Sequence, residues 1–335
     1  MSPSRESPPN GDDPSTASHP LGTLGKLILL PALVVLVLVL TAVVVGWLTR
    51  SPGDVDSMVD ALEKGGNRRW RAAVHLAGAL AEPNGAERKR DPVLAGRLMR
   101  ILQREIESGG VGDEEITLRM YLCRALGEFH LIEPLPVLVE AAITERDPRE
   151  VDVRRSAIEA TAVLASNVGP SRLRSHAELI TALSEAADDA RPPLRSAAAF
   201  TLGVMGGPEA EAKLAALLAD PHPDVRYNAA TGLARHGNVK AIDVLLEMLD
   251  PSETAGVDVE KQEPARDFKR AMILVNGLRA ADQLAAANPS ADWSRLERAI
   301  ERLARAEVDG AVRARAGEVL DRLRTREAKA GADAR

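Results

Sequence analysis

The sequence contains one cysteine, Cys123, and eight aromatic residues (three Trp, two Tyr, three Phe) among 335. A lone cysteine excludes an internal disulfide framework and any multi-cysteine zinc or iron–sulfur site. So few aromatics argue against a β-sandwich or β-barrel, whose strands draw on aromatic and β-branched side chains. A basic excess is missing as well. The formal net charge is −6, where a nucleic-acid-binding chain is usually basic. No Gly-rich phosphate loop, GxSxG or kinase signature is present,. The glycines of GVMGG (Gly203 to Gly207) follow no strand and read as a turn between helices. What the chain has in abundance is Ala, Leu, Arg and Glu, all good helix formers,. With 45% apolar and 27% charged residues it is a folded helical chain, not a disordered one,.

The first 23 residues are the exception. They are rich in Pro, Ser, Asp and Gly and almost free of large apolar side chains, so a disordered polar tail is expected,. Leu27 to Leu48 follow without a single charge. As a helix this run spans roughly 33 Å, enough for a hydrocarbon core of about 30 Å. Lys26 and Arg50 bracket it, and Trp47 stands at an interfacial position,. The apolar stretch is longer than a signal peptide's and the tail before it is acidic, so residues 24–49 are expected to be a transmembrane helix. Residues 50–53 form a short linker to the rest. The positive charges at the two ends are balanced, Lys26 against Arg50, and assign no orientation,.

From residue 54 onward the chain repeats itself. A basic residue, apolar residues at helical spacing and then a Gly recur at Arg71, Arg119, Arg154, Arg195, Arg226, Lys269 and Arg313, at intervals of 31 to 48 residues. A second amphipathic helix precedes each instance, and Gly, Pro, Asn and Asp separate the helices,. The expected hairpins pair 54–64 with 68–82, 92–108 with 114–129, 134–146 with 150–166 and 172–189 with 192–206. Three more pair 208–219 with 223–236, 239–249 with 264–287 and 292–307 with 310–326. A flexible C-terminus, 327–335, follows. One hairpin cannot bury its apolar stripe alone, whereas a stack of seven buries a continuous core. The expected fold is therefore all-α, an α-solenoid of about seven helical hairpins behind one transmembrane helix.

The segments DPHPDVRYNAATGLARHG, DARPPLRSAAAFTLGVMGGPEA and REVDVRRSAIEATAVLA resemble the HEAT repeat, most closely its bacterial phycobilisome-lyase-type variant. Asp152, Asp224 and Asp267 stand two residues before Arg154, Arg226 and Lys269, as in that family's pattern. The resemblance implies that these Asp and Arg side chains tie neighbouring repeats together as a structural ladder.

Enzymes built on such repeats were sought residue by residue. Deoxyhypusine hydroxylases hold their metals with His-Glu pairs, and none of the six histidines here is followed by Glu. His222 and His236 flank one helix with Asp224 between them and read as a turn and a helix-end residue. Cys123 lies in the apolar MYLCRAL and reads as an inert core thiol,. No catalytic, cofactor-binding or metal-ligating residue is expected, and the chain reads as no enzyme. Basic clusters occur at Arg68-Arg69-Arg71, at Arg88-Lys89-Arg90 and on the last two helices. Acidic neighbours offset them, so nucleic acid is a poor partner, and the first two clusters suit anionic lipid better. The polar insertion at 250–265 is expected to project from an edge of the stack. The expected function is a membrane-anchored, non-catalytic scaffold that binds a protein partner along an extended solenoid surface, with the bilayer engaged through residues 27–48. The alternatives are an enzyme or cofactor-binding HEAT-like protein of the lyase or metal-dependent hydroxylase type, or nucleic-acid or anionic-lipid binding through the basic clusters.

Overall fold

Proline and glycine set the helix boundaries. In the computed structural model of the protein the described residues are 55–333, apart from 67 and 259. The expected tail (1–23), transmembrane helix (24–49, with Lys26, Trp47 and Arg50) and linker (50–53) lie outside the described residues. Among the described residues no helix is long and apolar enough to cross a membrane. The first three hairpins are α1 (Val55–Lys64) with α2 (Arg69–Ala81), α3 (Pro92–Ser108) with α4 (Asp113–Gly127), and α5 (Leu135–Ile143) with α6 (Val151–Val168). In the fourth, α7 (Pro170–Arg174) and α8 (Ala177–Ala187) precede α9 (Pro192–Met205). The last three are α10 (Pro208–Leu217) with α11 (Pro223–Arg235), α12 (Ile242–Met248) with α13 (Glu263–Ala287), and α14 (Ser294–Arg305) with α15 (Gly310–Asp333). The described residues form no strand.

Local chemistry accounts for these ends. The Asp91 carboxylate accepts from the N–H of Val93 and Leu94 at 2.8 and 3.2 Å, and Pro92 takes the first helical position,. Gly109, with φ +66°, closes the same helix in the left-handed region where a Cβ is unfavourable,. Proline also opens α7, α9, α10 and α11. The single helix expected over 172–189 is broken in two, because the Ser175 hydroxyl bonds back to the Arg172 carbonyl and His176 is extended,. The last helix continues to Asp333, past the expected end at 326.

The second helices form one continuous row in which α2, α4, α6, α9, α11, α13 and α15 each pack on the next, while the first helices form a parallel outer layer. Between the layers runs the core, mainly Leu, Ala and Val, from Val59 and Leu76 through Leu126, Leu164 and Leu202 to Leu278 and Leu323. Small residues dominate contacts within the second-helix row. A Cβ on Gly203 would lie 2.7 Å from the Gly232 Cα, and one on Gly127 would lie 2.7 Å from the Ala160 carbonyl oxygen. Helices on the inside of a curve must approach more closely than those outside, so these contacts place the second helices on the concave face.

The polar insertion after α12 folds back in part. Val257 is buried, and a Cβ on Gly256 would meet Ile273 and Tyr227 at 2.9 Å. The expectation of an outward loop holds only in part, because the Val257 side chain finds a place in the core while Ser252, Thr254, Asp258 and Lys261 stay exposed.

Candidate functional site

The basic residues at the starts of the second helices do two jobs at once. Arg119 donates to the Gly110 carbonyl of its own hairpin (2.5 Å) and to Glu150 of the next (2.6 Å). Arg154 bonds the Ala142 carbonyl (2.9 Å) and Glu145 within its hairpin, and Asp189 (3.2 Å) in the following one. Arg195 takes the carbonyls of Asp189 and Ala190 and forks onto Asp220 at 2.7 and 3.0 Å. Arg226 takes the Asp220 and Pro221 carbonyls and reaches Glu247 of α12 at 2.5 Å. Replacing Arg226 with Ala should lower stability by about 1.5–3 kcal/mol, the range for hydrogen bonds to a charged group. Urea titration of the variant checks this, and an unchanged midpoint would deny that the contact joins hairpins five and six.

The ends of the ladder differ from expectation. Arg71 is exposed and lies over the Trp70 ring at 5.2 Å. Arg69 holds the equivalent place instead, bonding the Leu62 carbonyl (2.7 Å) and Glu105 of the next hairpin (2.7 Å). In the sixth hairpin the carbonyl contact is made by Arg266, on Glu260, while Lys269 reaches back to Asp224 at 3.2 Å. Arg313 is exposed, in the last of the described hairpins. Of the three aspartates, Asp224 joins two hairpins through Lys269, Asp152 pairs with Arg155 in its own helix at 3.2 Å, and Asp267 is exposed.

Along the concave face the second helices enclose a groove of about 710 Å³. It runs from Ala77 and Gly78 on α2, past Tyr121, Glu159 and Val163, to Phe200 on α9 and Asn228 on α11. That one groove touches five successive hairpins shows how strongly the row curves. A second groove of about 410 Å³ continues it across α11 and α13, and the two share Ser196, Phe200, Asp224 and Asn228. The Asn228 amide bonds the Ser196 carbonyl and hydroxyl at 3.2 and 2.9 Å, which ties α9 to α11 beneath the junction. Phe200 stands at that junction 41% exposed, and Met272 lines the second groove 48% exposed. Sequence reasoning missed this groove, since its lining residues come from five repeats.

The electrostatics of the groove are uneven. Burial pushes the Glu159 carboxyl above its ordinary value, against the opposing pull of Arg155 and Arg124. Arg124 lies over the Tyr121 ring at 4.9 Å, a cation–π contact. Partial burial, reinforced by the neighbouring Arg279 cation, disfavours the charged form of Arg235. The Arg235 guanidinium donates to the Gly203 carbonyl at 3.2 Å, and Asp224 in the same groove is already engaged by Lys269.

The remaining candidates have structural places. Cys123 is fully buried, and burial pushes its thiol up to about 12, so little nucleophilic thiolate forms,. The ring of His236 lies 2.9 Å from the Gly203 carbonyl and packs on Gly206. Among the described residues no three His, Cys, Asp or Glu side chains are grouped to hold a metal. Lys89, a member of the basic cluster matched above to anionic lipid, is instead buried and pairs with Glu128 at 3.1 Å. On the last helices Arg322 and Arg326 share Asp282, and Arg305 and Arg324 share Glu301, which partly neutralises the basic stripe.

Residues 180–257 match the family model for HEAT repeats. They span most of the fourth hairpin, the fifth and the first helix of the sixth. No curated protein sequence matches the chain. Among solved structures, the chain is similar to YibA of Escherichia coli, with 16% identity and a TM-score of 0.37 over 80% of this chain and 92% of that one. It is also similar to human deoxyhypusine hydroxylase in complex with glycerol, with 20% identity and a TM-score of 0.31 over 82% and 97%. The second of these corrects the expectation that the chain is no enzyme, since an enzyme stands among the structures it is similar to. The physical reason is general: a stack of hairpins sets side chains along an inner face without dictating their chemistry. The non-catalytic assignment is withdrawn.

Proposed function

We propose that the protein is a scaffold or adaptor of the HEAT-repeat kind that binds a protein partner along its concave face. The observation that supports this is the continuous groove across α2 to α13, with Phe200 and Met272 exposed inside it. Large apolar side chains held open on a concave wall are the usual form of a binding site. The polar groups around them, Arg124, Glu159, Asn228 and Arg235, supply orientation. The uncharged run 27–48 adds an N-terminal membrane anchor to this reading and restricts the encounter to the bilayer surface,. Site-specific photo-crosslinking in native membranes tests it. A photoreactive residue at Phe200 should give a discrete crosslinked product, while one at Val93, 70% exposed on α3 of the outer layer, should give none. Equal labelling from both positions would remove the groove as the binding face.

A further inference from the structure

The groove carries a charge pattern that specifies its occupant further, and this inference rests on the binding function just stated. The protein as a whole is acidic, with net charge −6. Inside the groove the balance reverses. Arg124, Arg155, Lys269, Arg235 and Arg279 line it against Glu128, Glu159 and Asp224. Two of those three carboxylates are already paired, Glu128 with Lys89 and Asp224 with Lys269. Arg235 and Arg279, by contrast, both line the α11–α13 groove as neighbouring like charges.

We propose that the concave groove receives an extended acidic polypeptide segment, its apolar side chains seated against Phe200 and Met272 and its carboxylates on Arg235 and Arg279. Dimensions agree with this occupant. Five interhelix steps of about 9 Å carry the groove from α2 to α13,. That distance is covered by roughly fourteen residues of extended chain at 3.3 Å each. Guanidinium groups bind carboxylates through paired N–H donors, and two like charges held together are relieved by an anion between them. An acidic segment also meets repulsion from the remaining surface, so complementary charge inside the groove selects where it docks.

Fluorescence anisotropy on the full chain in detergent micelles tests the proposal, with three labelled probes. One is a peptide of that length alternating Leu or Phe with Glu or Asp. The second replaces every acid with Lys, and the third is a single-stranded oligonucleotide. The acidic peptide should bind at least about tenfold more tightly than its lysine counterpart and weaken as salt rises. Arg235→Glu combined with Arg279→Glu should reduce that binding by about tenfold or more, the scale of losing a desolvated charge contact. The unfolding midpoint should fall by no more than the single hydrogen bond of Arg235 to the Gly203 carbonyl accounts for, and the control Arg298→Glu, exposed on α14, should leave binding unchanged. No binding of the acidic peptide, preference for the lysine peptide or the oligonucleotide, or full binding by the double variant would overturn the proposal. A crosslink at position 200 together with any of those results would leave the binding groove standing and remove only its acidic occupant.

Discussion

Arg119→Ala should destabilise the array by about 3–5 kcal/mol, the range for breaking one partner of a buried ion pair. The Arg119 and Glu150 side chains are 2% and 1% exposed, and their charged atoms lie 2.6 Å apart. Removing the guanidinium leaves the Glu150 carboxylate without its cation in the core. Glu150 also accepts from the N–H of Arg146 at 2.6 Å and Asp147 at 3.3 Å, so the turn entering α6 loosens with it. Urea unfolding gives the loss. Hydrogen exchange over α4 and α6 should localise it, because repeat arrays open by neighbouring units.

This effect depends on pH with a definite sign. Burial opposes ionisation of Glu150, yet the Arg146 N–H and the Arg119 guanidinium together hold its carboxyl below the ordinary value. A carboxyl depressed in the folded state contributes stability above its unfolded value of about 4.3 and loses it as pH falls through the folded one. The difference between parent and Arg119→Ala should therefore be largest near neutrality and shrink in acid. Arg119→Met with Glu150→Gln should recover part of the loss, since no unpaired charge is then left inside. A variant equal to the parent at neutral pH would show that the pair does not join hairpins two and three.

The hairpins were legible in the sequence because proline, glycine and capping aspartates mark their ends locally. Asp91-Pro92 and Gly206-Gly207-Pro208 announce boundaries that the backbone obeys. The ladder was legible only in part. Arg69 and Arg71 both suit the repeat pattern, yet about 200° of helix rotation separates them. The path from α1 into α2 decides which one faces the Leu62 carbonyl, and residue periodicity does not carry that path. The burial of Lys89 was hidden for the same reason: its partner Glu128 lies 39 positions away. The groove was hidden by the composition of α9 itself. RSAAAFTLGVM is apolar on nearly every face, so nothing in it separates exposed Phe200 from buried Leu202. Only the close approach of its neighbours makes that distinction.

That close approach is the subject of the other large expected effect. Gly203 and Gly232 touch backbone to backbone, each Cβ position lying 2.7 Å from the other residue's Cα. No side chain can swing aside to relieve such a contact, so Gly203→Ala must push α9 away from α11. Overpacking of this kind costs typically about 1–3 kcal/mol, and it outweighs the gain of up to about 1 kcal/mol that alanine brings to a helix interior. Gly78→Ala is the natural control. It lies in the same row of second helices, lines the same groove and has open space at its Cβ position. There the alanine gain should stand alone, and the variant should be slightly more stable than the parent. The two substitutions are chemically identical and opposite in expected sign. Separation of α9 and α11 also widens the inner row, so Gly203→Ala should relax the curvature and flatten the groove at Phe200. Small-angle scattering should then report a larger radius of gyration for Gly203→Ala and none for Gly78→Ala. Equal stabilities and equal radii for the two variants would mean that the glycine contact does not set the curve on which the groove depends.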